Sequence, residues 1–154
     1  LDKEIASAKR YRRDLSVFVV DIDHFKKLND QFGHAVGDIA LRQFALAASD
    51  TIRTQDTLGR IGGEEFAVIL PETNIADAAV LAERFRSAME DISFEHNLGT
   101  IKFTVSIGIA SFDEQNTVAK TILNNADIAL YAAKGAGRNR VQVYSAKPDA
   151  SIDS

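Results

Sequence analysis

The chain has no cysteine among its 154 residues. That absence excludes a disulfide framework, a thiolate zinc site and a cysteine nucleophile together. It fits a reducing, cytoplasmic compartment. An excess of positive charge is missing too. The net charge is −4, from 18 Lys and Arg against 22 Asp and Glu, so the chain lacks the footprint of a nucleic-acid binder. No nucleic acid is expected as a partner. No apolar run approaches the ~18–20 residues of a membrane span, and no direct membrane contact by this domain is expected. Internal repeats, linkers and low-complexity stretches are also lacking. What is present is the length of one domain, enough to bury roughly two-thirds of its unfolded surface without a covalent staple.

The first residues already read as helix, without an initiator methionine, as an N-terminally truncated piece of a longer protein would. Glu4 to Arg13 is charged and helix-prone, with Ile5 and Ala8 on a modest apolar stripe. Leu15 to Val20 is a β-branched and aromatic run between Asp14 and Asp21, the pattern of a buried strand. Asp23 is placed to cap a short helix from His24 to about Gln31, which Gly33 ends. A second helix is expected from about Asp38, itself a credible N-cap, to Ile52.

Thr57–Ile61 and Phe66–Leu70 read as strands joined across Gly62-Gly63. Asn74 then caps a long amphipathic helix to about Ile92, with Ala78, Leu81, Ala82, Phe85 and Met89 on one face. Ile101–Phe112 alternates as one long strand, Thr117–Ala136 is the last long helix, and Val141–Tyr144 is a final strand. Ser93–His96 adds a small edge strand. The order does not repeat as βαβ units, so the expected class is α/β (α+β): a mostly antiparallel central sheet flanked by helices. The domain is expected over residues 1–145, with a polar, frayed tail at 146–154.

Two places carry candidate chemistry. Asp21-Ile22-Asp23 leaves the core at the end of a buried strand, where a carboxylate can hold Mg²⁺ among hard oxygen ligands. Taken alone, Asp21 reads equally well as an ordinary strand-end acid, and Asp23 as the helix cap. Gly62-Gly63-Glu64-Glu65-Phe66 is the second place. The glycine pair permits positive φ and close approach of a phosphate. Successive strand residues point to opposite faces, so one acid can face a metal shared with Asp21 and the other a partner or substrate. The plain alternative is a hairpin with solvated acids. Acids crowded together repel, so placing them side by side is costly unless a cation sits between them, and this weakens the plain alternative. His24, His34 and His96 do not form a ligand cluster.

The stretch Asp21-Ile22-Asp23-His24-Phe25-Lys26-Lys27-Leu28-Asn29-Asp30, then Phe32-Gly33-His34 and Gly37-Asp38, resembles the nucleotide-binding segment of GGDEF domains. The hairpin matches the signature in its GGEEF form. Ala126-Asp127, Tyr131-Ala132-Ala133-Lys134 and Gly137-Arg138-Asn139 match the last helix and the turn after it. Three linked motifs in order and spacing carry this resemblance over nearly the whole chain. It implies the nucleotidyl-cyclase, ferredoxin-like palm arrangement and a diguanylate cyclase, which makes cyclic di-GMP and pyrophosphate from two GTP molecules.

By similarity, Asp21, Glu64 and the carbonyl of Ile22 would bind Mg²⁺, two ions per half-site, with Mn²⁺ as a substitute. Glu65 would share in metal binding or help deprotonate the attacking hydroxyl. Asn29 and Asp38 would read the guanine edge, since a carboxylate accepts from the N1–H and N2–H₂ donors that adenine lacks. Lys26, Lys134 and Arg138 would contact the triphosphate, with Gly62 and Gly63 close by. Read in isolation, Lys134 and Arg138 are a basic helix end complementing the macrodipole.

Arg53-Thr54-Gln55-Asp56 resembles the family's RxxD product-inhibition site, with Arg84 as a second arginine. The bland reading is a surface ion pair, worth about 0–1 kcal/mol. The resemblance also implies a homodimer joining two half-sites, and an upstream sensor or coiled-coil region. The family's usual turn just ahead of Leu1 is absent here. Two competing readings remain: an idle domain that only senses cyclic di-GMP or GTP, and a cyclase that accepts ATP, against which Asp38 argues.

Overall fold

The computed structural model describes residues 1–97, 99–113 and 118–145. The expected tail at 146–154 and the expected helix start at Thr117 lie outside them. β1, Leu15–Ile22, is buried along its whole length. A run so apolar is stable only with neighbours on both edges and both faces. β3, Glu65–Pro71, pairs with it antiparallel on one side, and β6, Val105–Ser111, pairs antiparallel on the other. β2, Thr57–Gly62, adds to β3, and β7, Val141–Val143, lies parallel to β6. The five-stranded order is β2-β3-β1-β6-β7. The mostly antiparallel sheet matches the expected class.

Helices cover both faces. α1, Asp2–Tyr11, and α5, Ala119–Gly135, bury Ile5, Ala8, Ile122, Ala126 and Leu130 against the odd-numbered residues Leu15, Val17 and Val19 of β1. α3, His34–Thr51, and α4, Ile75–Glu90, bury Ala40, Phe44, Leu81 and Phe85 against Phe18, Val20 and Ile22. Phe85 meets Phe18 edge-on at 5.3 Å between centroids, and Phe44 sits 4.5 Å from Phe66. Such ring pairs add about 0.5–1.5 kcal/mol each beyond area burial. Asn74 caps α4 as expected, its side chain accepting from the Asp77 N–H at 2.8 Å.

Three boundaries differ from the sequence reading. α2 is Phe25–Phe32, and its N-cap is His24 at φ 56, not Asp23. α3 begins at His34 directly after Gly33, so Asp38 lies a full turn inside it and is no cap. The segment read as one strand is two. β5, Gly99–Lys102, forms a separate hairpin with β4, Ser93–His96. The chain breaks at Phe103-Thr104, where the Thr104 carbonyl accepts from the Asp23 N–H at 2.9 Å. A local strand period cannot register that long-range bond.

α5 lies directly on β6 because residue 108 is glycine. A Cβ there would stand 2.1 Å from the Ala126 carbonyl oxygen and 2.2 Å from the Leu130 nitrogen, both backbone atoms that cannot turn aside. Gly108→Ala should therefore lower the stability of the chain by about 3 kcal/mol, the upper part of the range for overpacking. Urea unfolding checks this; an unchanged midpoint would contradict the packing described.

Candidate active site

The alternation of β1 that buries Leu15, Val17 and Val19 against α5 carries Asp21 onto the same face at the strand end. Its register partners are Glu65 on β3 and Ser106 on β6. Lys134, on the last turn of α5, forms an ion pair with Asp21 Oδ2. Asp21 Oδ1 is buried and has no hydrogen-bond partner among the described residues. Burial pushes the Asp21 carboxyl above its ordinary pKa; Lys134 pulls it down, and Glu64 and Asp23 push it further up. Glu65 is raised as well, first by burial, then by Asp127 and Asp21. Acids from β1, the hairpin and α5 thus converge on one point, with Lys134 as a counter-charge.

The hairpin differs in one detail from its expected form. Gly62 pairs with Glu65, so the turn residues are Gly63, at φ 50, and Glu64. Glu64 is therefore on the turn and Glu65 is the first strand residue, directly opposite Asp21. The Glu64 carbonyl extends the ladder by accepting from the Ile22 N–H at 3.3 Å. A Cβ at Gly62 or Gly63 would meet open space, so only the φ of Gly63 demands glycine. Arg60, which the sequence reading passed over, braces the turn: its Nε donates to the Gly63 carbonyl at 2.9 Å, and its guanidinium lies over Phe66.

Among the described residues, no group of three His, Cys, Asp or Glu side chains forms a metal cage. Mg²⁺ does not need one, because it keeps several waters and binds through one or two carboxylates plus substrate phosphates. An orphaned buried carboxylate oxygen among mutually repelling acids is the donor set such an ion fits.

The other sequence candidates are divided among neighbouring elements. Lys26 is exposed on α2, and Asp38 is exposed on α3. Asn29, half-buried on α2, rests its Oδ1 against Gly37 of α3, where a Cβ would stand only 1.8 Å away. Gly37 is thus a site residue that the sequence reading did not assign. Arg138 follows α5 at φ 64, its N–H donating to the Ala133 carbonyl at 3.0 Å.

Asp23 has a different task from the cap expected of it. It accepts from the hydroxyls of Thr104 at 2.7 Å and Ser106 at 2.6 Å, and from the Asn139 main-chain N–H at 3.0 Å. Asn139 in turn donates to Glu90 at 2.6 Å and accepts from Arg86 at 2.8 Å. Only the Asp-Ile-Asp and Gly-Arg-Asn motifs gave any signal for this network.

Arg53 and Asp56 form a two-pronged pair at 2.9 and 2.8 Å, and Arg53 also donates to Thr73 at 2.6 Å. The Asp56 side chain is fully buried while that of Arg53 is 38% exposed. This is a built pair rather than a loose surface one. Arg84 is exposed on α4.

A sheet of this topology, with acids converging at its central strand end, defines a nucleotidyl-cyclase-like palm domain. A family model described as the diguanylate cyclase GGDEF domain matches residues 1–140. Diguanylate cyclase A of Treponema denticola is 42% identical over 137 residues, which are 89% of this chain and 37% of that protein. The GGEEF domain of a diguanylate cyclase from Vibrio cholerae has a TM-score of 0.88 at 36% identity, over 94% of this chain and 92% of that one. The GGDEF domain of DgcB from Caulobacter crescentus, solved in complex with c-di-GMP, has a TM-score of 0.87 at 32% identity, over 94% and 85%. The chain belongs to the GGDEF family of diguanylate cyclase domains. It spans well under half the length of the curated relatives it matches.

A folded-state pKa raised above its unfolded value contributes stability below the unfolded pKa, and that contribution is lost as pH rises. The contributions of Asp21 and Glu65 to the metal-free chain therefore fall as pH climbs out of the carboxylate range, opposite in sign to those of Glu4, Glu83 and Glu90, whose pKa values are lowered by their partners. Asp21→Asn, which mimics the protonated form, should melt above the parent chain at pH 7 in chelator, and this advantage should shrink toward pH 4. Adding Mg²⁺ should raise the melting temperature of the parent but not of the variant. A variant that melts lower at pH 7 and still responds to Mg²⁺ would contradict the site.

Proposed function

We propose that this domain condenses two GTP molecules into cyclic di-GMP and pyrophosphate. One observation carries the reading: in a GGDEF-family chain, Asp21 has a buried Oδ1 without a hydrogen-bond partner among the described residues, stands opposite Glu65 in the sheet, and feels the charge of Glu64. Asp21, Glu64 and the Ile22 carbonyl are the ligands that would hold the metal. Mg²⁺, two ions per half-site and replaceable by Mn²⁺, would acidify the attacking 3′-hydroxyl and offset charge on the departing pyrophosphate. Asn29 and Asp38 orient the guanine. Lys26, Lys134 and Arg138 hold the triphosphate beside Gly62 and Gly63. Glu65, across from Asp21, takes the proton of the 3′-hydroxyl as its oxygen attacks the α-phosphorus.

One domain supplies one half-site, so two copies face each other as a homodimer, and an upstream sensor or coiled-coil region sets how often they meet. GTP as substrate suits a cytoplasmic domain. Arg53, Asp56 and Arg84 form the product-inhibition site. Since the Asp56 oxygens are engaged by Arg53, the exposed part of Arg53 and the Arg84 guanidinium meet the product first, and Asp56 holds Arg53 in place.

Incubation with GTP and Mg²⁺, followed by chromatography, should yield cyclic di-GMP and pyrophosphate, and Glu64→Ala should reduce synthesis to background. Undiminished synthesis by Glu64→Ala would remove the metal assignment. In the same assay the initial rate should rise faster than the first power of protein concentration, whereas strict proportionality would rule out the dimer.

Arg53→Ala should relieve inhibition by cyclic di-GMP while costing about 1–3 kcal/mol, because it strands a buried carboxylate. Arg84→Ala, which leaves that pair intact, should relieve inhibition without the stability loss. Inhibition unchanged in both variants would contradict the product site.

A further inference from the structure

We propose that Asp23 and Asn139 act together as positioning residues: they fix where Arg138 and Lys134 stand, and so how tightly the domain holds a nucleoside triphosphate. The inference rests on the assignment of those two cations to the triphosphate.

Asp23 is 7% exposed. A carboxylate so buried is costly unless fully hydrogen-bonded. It meets that demand with three neutral donors from two distant segments, the Thr104 and Ser106 hydroxyls and the Asn139 main-chain N–H. None of these bonds serves α2, whose N-cap is His24. The carboxylate therefore ties the end of β1 to the start of β6 and to the turn after α5.

That turn is strained. Gly137, Arg138 and Asn139 take φ values of 124, 64 and 48 in succession. Two of the three are not glycine, and such backbone persists only where its surroundings over-determine it. Asn139 is held at all of its polar side-chain groups' reach: Nδ2 donates to Glu90, Oδ1 accepts from Arg86, and the main-chain N–H meets Asp23. Arg86 is itself locked by two bonds to Glu83, at 2.9 and 2.6 Å. Arg138 sits between the tied Asn139 and its own bond to Ala133, and one turn back along α5 Lys134 reaches Asp21. An ångström of drift in this turn displaces a phosphate cation. Asn29 and Asp38 lie on α2 and α3 and, among the described residues, make no hydrogen bond or ion pair to this turn, so base recognition is independent of the tie.

The test compares binding of GTP and of GMP by calorimetry, in the presence of Ca²⁺ to suppress turnover, for the parent chain and for Asn139→Gly. Glycine keeps the positive φ and the N–H to Asp23 but loses Glu90 and Arg86. GTP affinity should fall about tenfold, the equivalent of one lost charged hydrogen bond, with GMP affinity changed by less than about twofold. Asp23→Asn, which leaves at least one donor unmatched, should act the same way; if it does not fold, Arg86→Met replaces it. Equal losses for GTP and GMP, or lower melting temperatures with both affinities unchanged, would overturn the proposal and leave a purely structural tie. A parent chain that binds neither nucleotide would instead overturn the function it rests on.

Discussion

A carboxylate at the end of a central strand has strands on both sides and a helix over its face, so water cannot solvate it fully. Asp21 is in that position, between Glu65 and Ser106 and beneath α5. Lys134 satisfies one of its oxygens, and among the described residues no group satisfies the other. The acids nearby make matters worse, since each raises the cost of ionising its neighbours. Such an arrangement is a poor way to stabilise a fold. It is a good way to hold a small hard cation together with anionic substrate oxygens, which supply what the protein withholds.

The surrounding structure sets the position of that carboxylate and its partners to within small tolerances. Gly108 lets α5 settle on β6 with backbone against backbone, and this contact sets the height from which Lys134 reaches Asp21. On the other side of the site, Gly37 lets Asn29 lie against α3, so that Asn29 and Asp38, the two positions proposed to read guanine, are carried by helices in direct contact. Arg60 closes the hairpin turn that carries Glu64. Each device is a local loss of side-chain freedom or volume that gains precision where phosphate and base would be held.

Much of this was legible from residue order. β1, the β2–β3 hairpin and the Asn74 cap follow from local periodicity and turn chemistry and lie close to where they were expected, whereas the long strand expected over Ile101–Phe112 is divided between β5 and β6. The linked motifs pointed to Asp21 and Glu64 as joint metal ligands with Lys134 nearby; in the fold Lys134 pairs with Asp21, and Glu65 rather than Glu64 is the strand residue opposite it. Asp23 was misread because a capping rule looks only a few residues ahead, while its true partners are 81, 83 and 116 residues away. Asp38 looked like a cap because a capping rule weighs only residue type and the periodic run that follows; α3 in fact starts four residues earlier, with Gly37 inside it where Asn29 occupies the space a side chain would need. Arg60 and Arg86 have local partners in Gly63 and Glu83, but nothing near them in the sequence announces their contacts with Phe66 and Asn139. Their roles exist only once β3 and the turn after α5 have been brought beside them.

The most direct measurement is the anomalous scattering of crystals grown with Mn²⁺ and a non-hydrolysable GTP analogue. A manganese peak is expected about 2.1 Å from a carboxylate oxygen of Asp21, bridged to a hairpin acid and to phosphate oxygens. Manganese bound elsewhere, with Asp21 still paired only to Lys134, would contradict it.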